Sequence, residues 1–163
     1  MKRILWVLLM VCSSHTWGQD FASKFMEQYS GKEIQCQTVS PLMMEKLIDV
    51  MPLTNSEGNE NVQEYLFSKL KSARIVTVTR NCENFFNKAE NLIEKNKNRF
   101  SPLMERPTDK NNKIFVRKHN EMIRELVMLS LDTEDRTFTI VNLTGDMNDR
   151  FIQLLSSIKY KQE

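Results

Sequence analysis

Catalysis by a nucleophile, a metal or an acid pair needs histidine, cysteine or carboxylate side chains at workable spacing. This chain carries few. Its two histidines are His15 and His119, and its three cysteines are Cys12, Cys36 and Cys82. A zinc or copper centre takes three or four nitrogen or sulfur ligands, and these scattered residues do not supply them. A serine or cysteine nucleophile would have to use His119 as its base. Neither Cys36 nor Cys82 sits in a nucleophile signature, and His119, beside a predicted turn, reads as a surface residue. The acids remain. Glu121 and Glu125 alternate so as to share one face of a predicted strand, and Asp146 is a third carboxylate that an enzyme would have at hand. Arg117 and Arg124 are near enough to make ordinary surface ion pairs the simpler reading of those glutamates. Asp132, Glu134 and Asp135 crowd a hairpin shorter than a twelve-residue calcium loop and read as a turn. After Gly18, only Gly31, Gly58 and Gly145 follow, too few for a phosphate-cradling loop. No catalytic, cofactor-binding or metal-ligating residue is assigned, and no cofactor is expected.

The N-terminus says where the protein works. Lys2 and Arg3 precede an apolar run from Ile4 to Cys12, followed by a small and polar stretch that ends Thr16-Trp17-Gly18-Gln19. This is the charge, apolar core and cleavage region of a secretory leader. The run is far shorter than the roughly 20 residues of a membrane-spanning helix. Residues 1–18 are therefore read as a signal peptide, and residues 19–163 as one exported α+β domain with no transmembrane span. Leu9-Met10-Val11-Cys12 resembles a lipoprotein box, but Val11 is bulky where a small residue is wanted, so a lipid anchor at Cys12 is the lesser alternative.

Loss of the leader changes the charge. The whole chain has 23 Lys+Arg and 21 Asp+Glu. Without Lys2 and Arg3 the two counts are equal, so the exported domain is formally neutral. A neutral, interspersed surface lacks the clustered basic footprint that nucleic acid demands, and it gives no electrostatic hold on anionic lipid.

The elements that would position any site follow from periodicity. Phe21, Phe25 and Tyr29 predict a helix over 20–30, closed by a left-handed Gly31. Ile34 to Val39 predicts a strand. Ser40-Pro41 starts a helix bearing the stripe Leu42, Met43, Leu47, Val50 and Met51, which Pro52 closes, and Thr54 to Asn61 is a loop. Helical periodicity returns from Val62 to about Ser72, then the β-branched run Ile75–Thr79 predicts a strand. Phe85 to Ile93 predicts a helix with a solvated end over 94–99, and 101–112 a loop. Lys113–Lys118, Met122–Leu131 and Thr137–Leu143 make an antiparallel meander. Leu126-Val127-Met128-Leu129 is apolar on both faces, as in a covered central strand. Thr144-Gly145-Asp146 starts a last helix with Phe151, Leu154, Leu155 and Ile158 inward. The resulting fold class is α+β: a mixed, roughly five-stranded sheet with a C-terminal antiparallel meander, packed by about five helices as an α/β sandwich. If the strands of Cys36 and Cys82 are parallel neighbours, the two thiols stand roughly 13 Å apart, too far to bridge.

Four segments, in order, carry a resemblance: Phe25-Met26-x-x-Tyr29-Ser30-Gly31, Val39-Ser40-Pro41-Leu42-Met43, Ile123-Arg124-Glu125-Leu126-Val127, and Leu143-Thr144-Gly145-Asp146-Met147 before the last helix. Together they resemble domain-of-unknown-function family 4252, small exported proteins of the Bacteroidetes. Pro41 departs from the family, which more often starts that helix without proline. The resemblance supplies no catalytic residue. It implies a place in the envelope of a Gram-negative cell, periplasmic or outer, and its genes' frequent neighbours, extracytoplasmic sigma factors, suggest envelope signalling. The expectation is a non-enzymatic binding or signalling-accessory module whose partner is an envelope protein or a surface polymer. The alternatives are an envelope enzyme built on Glu121, Glu125 or Asp146, and a lipid-anchored component.

Overall fold

The three strands of the C-terminal meander are the framework on which everything else packs. In the computed structural model, residues 19–40, 42–43, 62–103 and 110–157 are described. The leader with Cys12, the stripe beyond Met43, the stretch from Thr54 to Asn61, and Ile158 lie outside the described residues. Chain order is α1 (Phe21–Gln28), β1 (Ile34–Val39), α2 (Val62–Lys69), β2 (Leu70–Val78), α3 (Cys82–Glu94), β3 (Ser101–Pro102), β4 (Asn112–His119), β5 (Met122–Asp132), β6 (Thr137–Met147) and α4 (Asp149–Ser157). The strands form one sheet in the order β1-β2-β6-β5-β4-β3.

The α+β class holds, with three corrections. Among the described residues the sheet has six strands, because the proline-bearing segment after α3 adds the two-residue β3 against β4. A mixed sheet was expected, yet every ladder among the described residues is antiparallel, β1 on β2 included (Ile34 opposite Val78, Val39 opposite Ala73). The connection from β1 to β2 is long enough to return the chain either way, so length could not decide. The described residues hold four helices of a full turn or more instead of about five. Of the helix expected after Ser40, Leu42 and Met43 are helical and exposed, and Ser40 Oγ accepts the Met43 N–H at 3.3 Å. No helix among the described residues is long and apolar enough to cross a membrane.

Alternation along the strands divides the core in two. On one face Val76, Val78, Val127, Leu129, Phe138 and Ile140 pack under α1 and α3, whose Phe21, Phe25, Phe85 and Phe86 build an aromatic cluster. Phe86 meets Phe138 edge-on, with centroids 5.6 Å apart, the arrangement that aromatic quadrupoles favour. On the other face Val116, Leu126, Leu143 and Met147 pack under α2 and α4 through Leu66, Phe151 and Ile152. Helices therefore cover both faces, and β5 in mid-sheet is buried on each, as its apolar run required.

Local boundaries moved for identifiable reasons. α1 ends at Gln28 with Tyr29 as its cap (φ −132°), so Gly31 is not the left-handed terminator; its carbonyl accepts the Ile34 N–H instead. β2 begins at Leu70, directly after α2, with a bulge between Leu70 and Ser72. β6 runs four residues past Leu143, through Gly145. A Cβ at Gly145 would stand 2.0 Å from the Lys69 carbonyl oxygen. That glycine marks a close backbone approach inside a strand rather than a strand end. Asn148 then starts α4, its Oδ1 accepting the Phe151 N–H at 3.0 Å, and Phe151 and Ile152 are the deeply buried positions of that helix while Leu154 and Leu155 are half-buried.

Candidate functional site

Polar side chains buried in a sheet must be hydrogen-bonded or they cost stability. Glu125 on β5 and Asn142 on β6 are the buried polar residues of the described core, and both are spent on α1. The first turn of a helix leaves backbone N–H groups without intrahelical partners. Here Asp20 Oδ1 takes the Ser23 N–H at 2.8 Å, Glu125 Oε1 the Phe21 N–H at 2.6 Å, and Asn142 Oδ1 the Ala22 N–H at 2.8 Å. Asn142 Nδ2 donates to Glu125 Oε1 at 3.1 Å, and Arg117 Nε donates to Glu125 Oε2 at 3.0 Å. Arg74 pairs with Asp20 at 3.2 Å. The helix dipole also favours a carboxylate at this end. The sheet thus grips α1 through this socket, and the acid with the deepest burial gives three of a carboxylate's roughly four acceptor sites to it.

The other acids do not join it. Glu121 is exposed and sits in the two-residue hairpin between β4 and β5, with Asn120 and Glu121 both at positive φ (50° and 63°). Glu121 therefore precedes the strand, and a register shift between Ile123 and Glu125 breaks the simple alternation that put the two glutamates on one face. Asp146 is bound by Arg124 and, at 2.7 Å, by Lys71. Arg117 does pair with Glu125, as the spacing suggested, but in a buried position instead of on the surface. His119 is exposed at the end of β4, opposite Met122. Asp132 Oδ1 accepts the N–H groups of Glu134 and Asp135 at 2.9 and 3.0 Å, so the acidic hairpin is an Asx-type turn. Asn142, first residue of an Asn-Leu-Thr triplet, is 1% exposed, closed to any modifying enzyme in the folded chain.

The cysteines also occupy separate surroundings. Cys36 lies opposite Val76 in the antiparallel β1–β2 ladder and is exposed, whereas Cys82 begins α3, four residues past the end of β2. Both are free thiols. Cys82 Sγ donates toward the carbonyl oxygens of Arg136, at 2.8 Å, and Val78, at 3.3 Å. It ties the first turn of α3 to the β5–β6 hairpin and to the end of β2.

Cys82 and Arg136 also line a concave feature. A cleft of about 660 Å³ lies between the segment Thr79 to Asn84, which runs into the first turn of α3, and the hairpin from Leu131 to Arg136. Two exposed arginines, Arg80 and Arg136, are among its lining residues, and neither forms an ion pair with a described residue. Asp132 and Glu83 line the same cleft, and Asp132 Oδ1 also accepts backbone N–H groups of its own turn. Arginine forks of this kind suit carboxylate or phosphate oxygens. Sequence reasoning missed this pairing because Arg80 and Arg136 lie 56 positions apart and only the β2–β6–β5 order brings them to one end of the sheet. It also missed the socket, for which a signal existed: Glu125 and Asn142 each fall on the inward alternation of a central strand whose other inward positions there are apolar, Val127 and Leu129 on β5 and Phe138 and Ile140 on β6.

No curated protein and no solved structure matches this chain. The model of one family, described as a domain of unknown function (DUF4252), matches residues 31–155, from the start of β1's approach into α4. On that match, over most of its length, the chain belongs to the DUF4252 family.

Proposed function

We propose that this is an exported protein of a Gram-negative cell envelope that works by binding, as a signalling-accessory or structural module, and that its partner meets it at the Arg80–Arg136 cleft. The observation that carries the reading is the division of labour among charged groups. Glu125, Asp20 and Asp146 are engaged in holding α1 and β6, while the two cleft arginines form no ion pair with a described residue, although Glu83 and Asp132 line the same cleft. A partner presenting carboxylates or phosphates, such as an acidic envelope protein or an anionic surface polymer, would supply the counter-ion. Export is supported by the leader pattern of residues 1–18. A cut after Gly18 would leave Asp20, the cap of α1, in place.

Two measurements test this. The intact mass of the protein recovered from the envelope should begin at Gln19, or one residue to either side; a diacylated N-terminus at Cys12 would make it a lipoprotein, and retention of Met1 in the cytoplasm would end the export reading. For binding, crosslinking in cells should yield a reproducible adduct that Arg80→Glu with Arg136→Glu abolishes and Glu121→Gln leaves intact. An adduct indifferent to the double reversal would move the binding surface elsewhere.

A further inference from the structure

The two edges of the sheet are built differently. β3, at one edge, has two residues and ends in Pro102, and both the short length and the missing N–H discourage another strand from joining. β1, at the other, runs six residues, Ile-Gln-Cys-Gln-Thr-Val, with no charge and no proline. Gln35, Cys36, Gln37 and Thr38 are exposed on both faces of this strand. Among the described residues, no strand pairs with its outer side. Proteins usually blunt such an edge with lysine, proline or a bulge, because its backbone N–H and C=O groups template further pairing. The ladder of β1 on β2 has no register shift either.

We infer that β1 is a homodimer interface: two copies pair their β1 strands antiparallel about a two-fold axis through Cys36, joining two six-stranded sheets into one. A second copy suits this edge because the strand is self-complementary. An isologous contact requires that residue i meet residue j and j meet i. About Cys36, Gln35 lies opposite Gln37 of the second copy and Gln37 opposite its Gln35, so carboxamide meets carboxamide twice on one face. Ile34 lies opposite Thr38 on the other, and Cys36 meets its own counterpart. No like charges face each other, the usual obstacle to edge pairing. An uncharged strand gives an acidic or basic partner segment no advantage over this symmetric one. Five or six residue pairs make an interface at the low end of the size range, so the dimer is reversible. This inference does not depend on export or on the cleft.

Cys36 is also the probe. Directly opposed residues of an antiparallel pair have Cα atoms roughly 4.5–5.5 Å apart, within the ~4.4–6.8 Å span of a disulfide. The test is sedimentation of the reduced protein over a concentration series, followed by treatment with diamide. That reagent takes one hydrogen from each thiol, becoming the hydrazine, and leaves one sulfur–sulfur bond. We expect a monomer–dimer equilibrium and a Cys36–Cys36 peptide by mass spectrometry. Cys36→Ser should hold the dissociation constant within about threefold, because backbone pairing and not the thiol makes the dimer. Cys36→Lys, which sets like charges opposite each other, should raise it at least tenfold with the melting temperature of the monomer unchanged, and Gln35→Lys with Gln37→Lys, which sets lysine opposite lysine twice on the other face, is the second variant should the first fold poorly. A protein monomeric at every concentration, a dimer unmoved by both lysine variants, or a crosslink formed only between Cys36 and Cys82 would overturn the inference.

Discussion

Replacing Glu125 by alanine should cost the domain roughly 3–5 kcal/mol. The carboxylate is 0% exposed and accepts three hydrogen bonds, from the Phe21 N–H (2.6 Å), Asn142 Nδ2 (3.1 Å) and Arg117 Nε (3.0 Å). Its removal strands a buried backbone donor at the start of α1, leaves the Asn142 Nδ2 donor with a single 3.4 Å contact to the Leu126 carbonyl, and abandons a guanidinium that is itself only 31% exposed. Breaking a buried charge pair from one side typically costs about 3–5 kcal/mol, and an unsatisfied buried donor about 1–3 more in the least relaxed cases. Relaxation of α1 away from the sheet limits the sum, since its undocking rehydrates Phe21 N–H at the expense of Phe21 and Phe25 packing. At about 2–8 °C per kcal/mol, the melting temperature should fall by about 6 °C or more. Glu125→Gln, which keeps volume and one acceptor but sets an amide against Arg117, should lose about 1–3 kcal/mol. Urea unfolding of both variants beside Glu121→Gln, expected within about 0.5 kcal/mol of the parent, measures this. A Glu125→Ala protein as stable as Glu121→Gln would refute the socket.

Two further variants probe backbone geometry. Gly145→Ala should destabilise by about 3 kcal/mol or more, or prevent folding, because the new methyl meets backbone atoms of Lys69 and Leu70 that no rotamer change can move; a normal urea midpoint would show that α2 and β6 do not approach so closely. Glu121→Gly should raise stability by about 0.5 kcal/mol, the left-handed φ of 63° costing a side chain more than glycine loses in entropy. Chemical denaturation reads the sign directly.

What the sequence made legible was whatever rested on local period and turn chemistry. The alternation in Lys113–Leu143 and the polar turn residues placed three strands within a residue or two, apart from the far end of β6, and the Phe85–Ile93 stripe placed α3. Gly145 misled because a glycine needed for close approach and one needed for a turn look alike in a string of letters. β3 escaped because two residues have no period. The antiparallel fit of β1 on β2 escaped because hydrogen-bond direction is a tertiary property that a thirty-residue connection leaves open. Glu125 and Asn142 show the limit most clearly: pairwise reasoning along the chain matched Glu125 to nearby arginines, while its principal duty is to a helix more than a hundred residues away.

The central claim is that the buried polar pair serves α1 and is not a resting catalytic acid. Native-state hydrogen exchange at the Phe21 and Ala22 amides tests it at the atoms concerned. The first-turn N–H groups of a helix normally exchange quickly because nothing holds them. With Glu125 Oε1 and Asn142 Oδ1 as acceptors, both amides should instead be protected to nearly the level of the core strands, and Asn142→Ala should release Ala22 by at least tenfold in rate while leaving β4 amides as they were. Exchange of Phe21 and Ala22 at the rate of an unstructured peptide in the parent protein would contradict the claim and return Glu125 to the pool of groups free for chemistry.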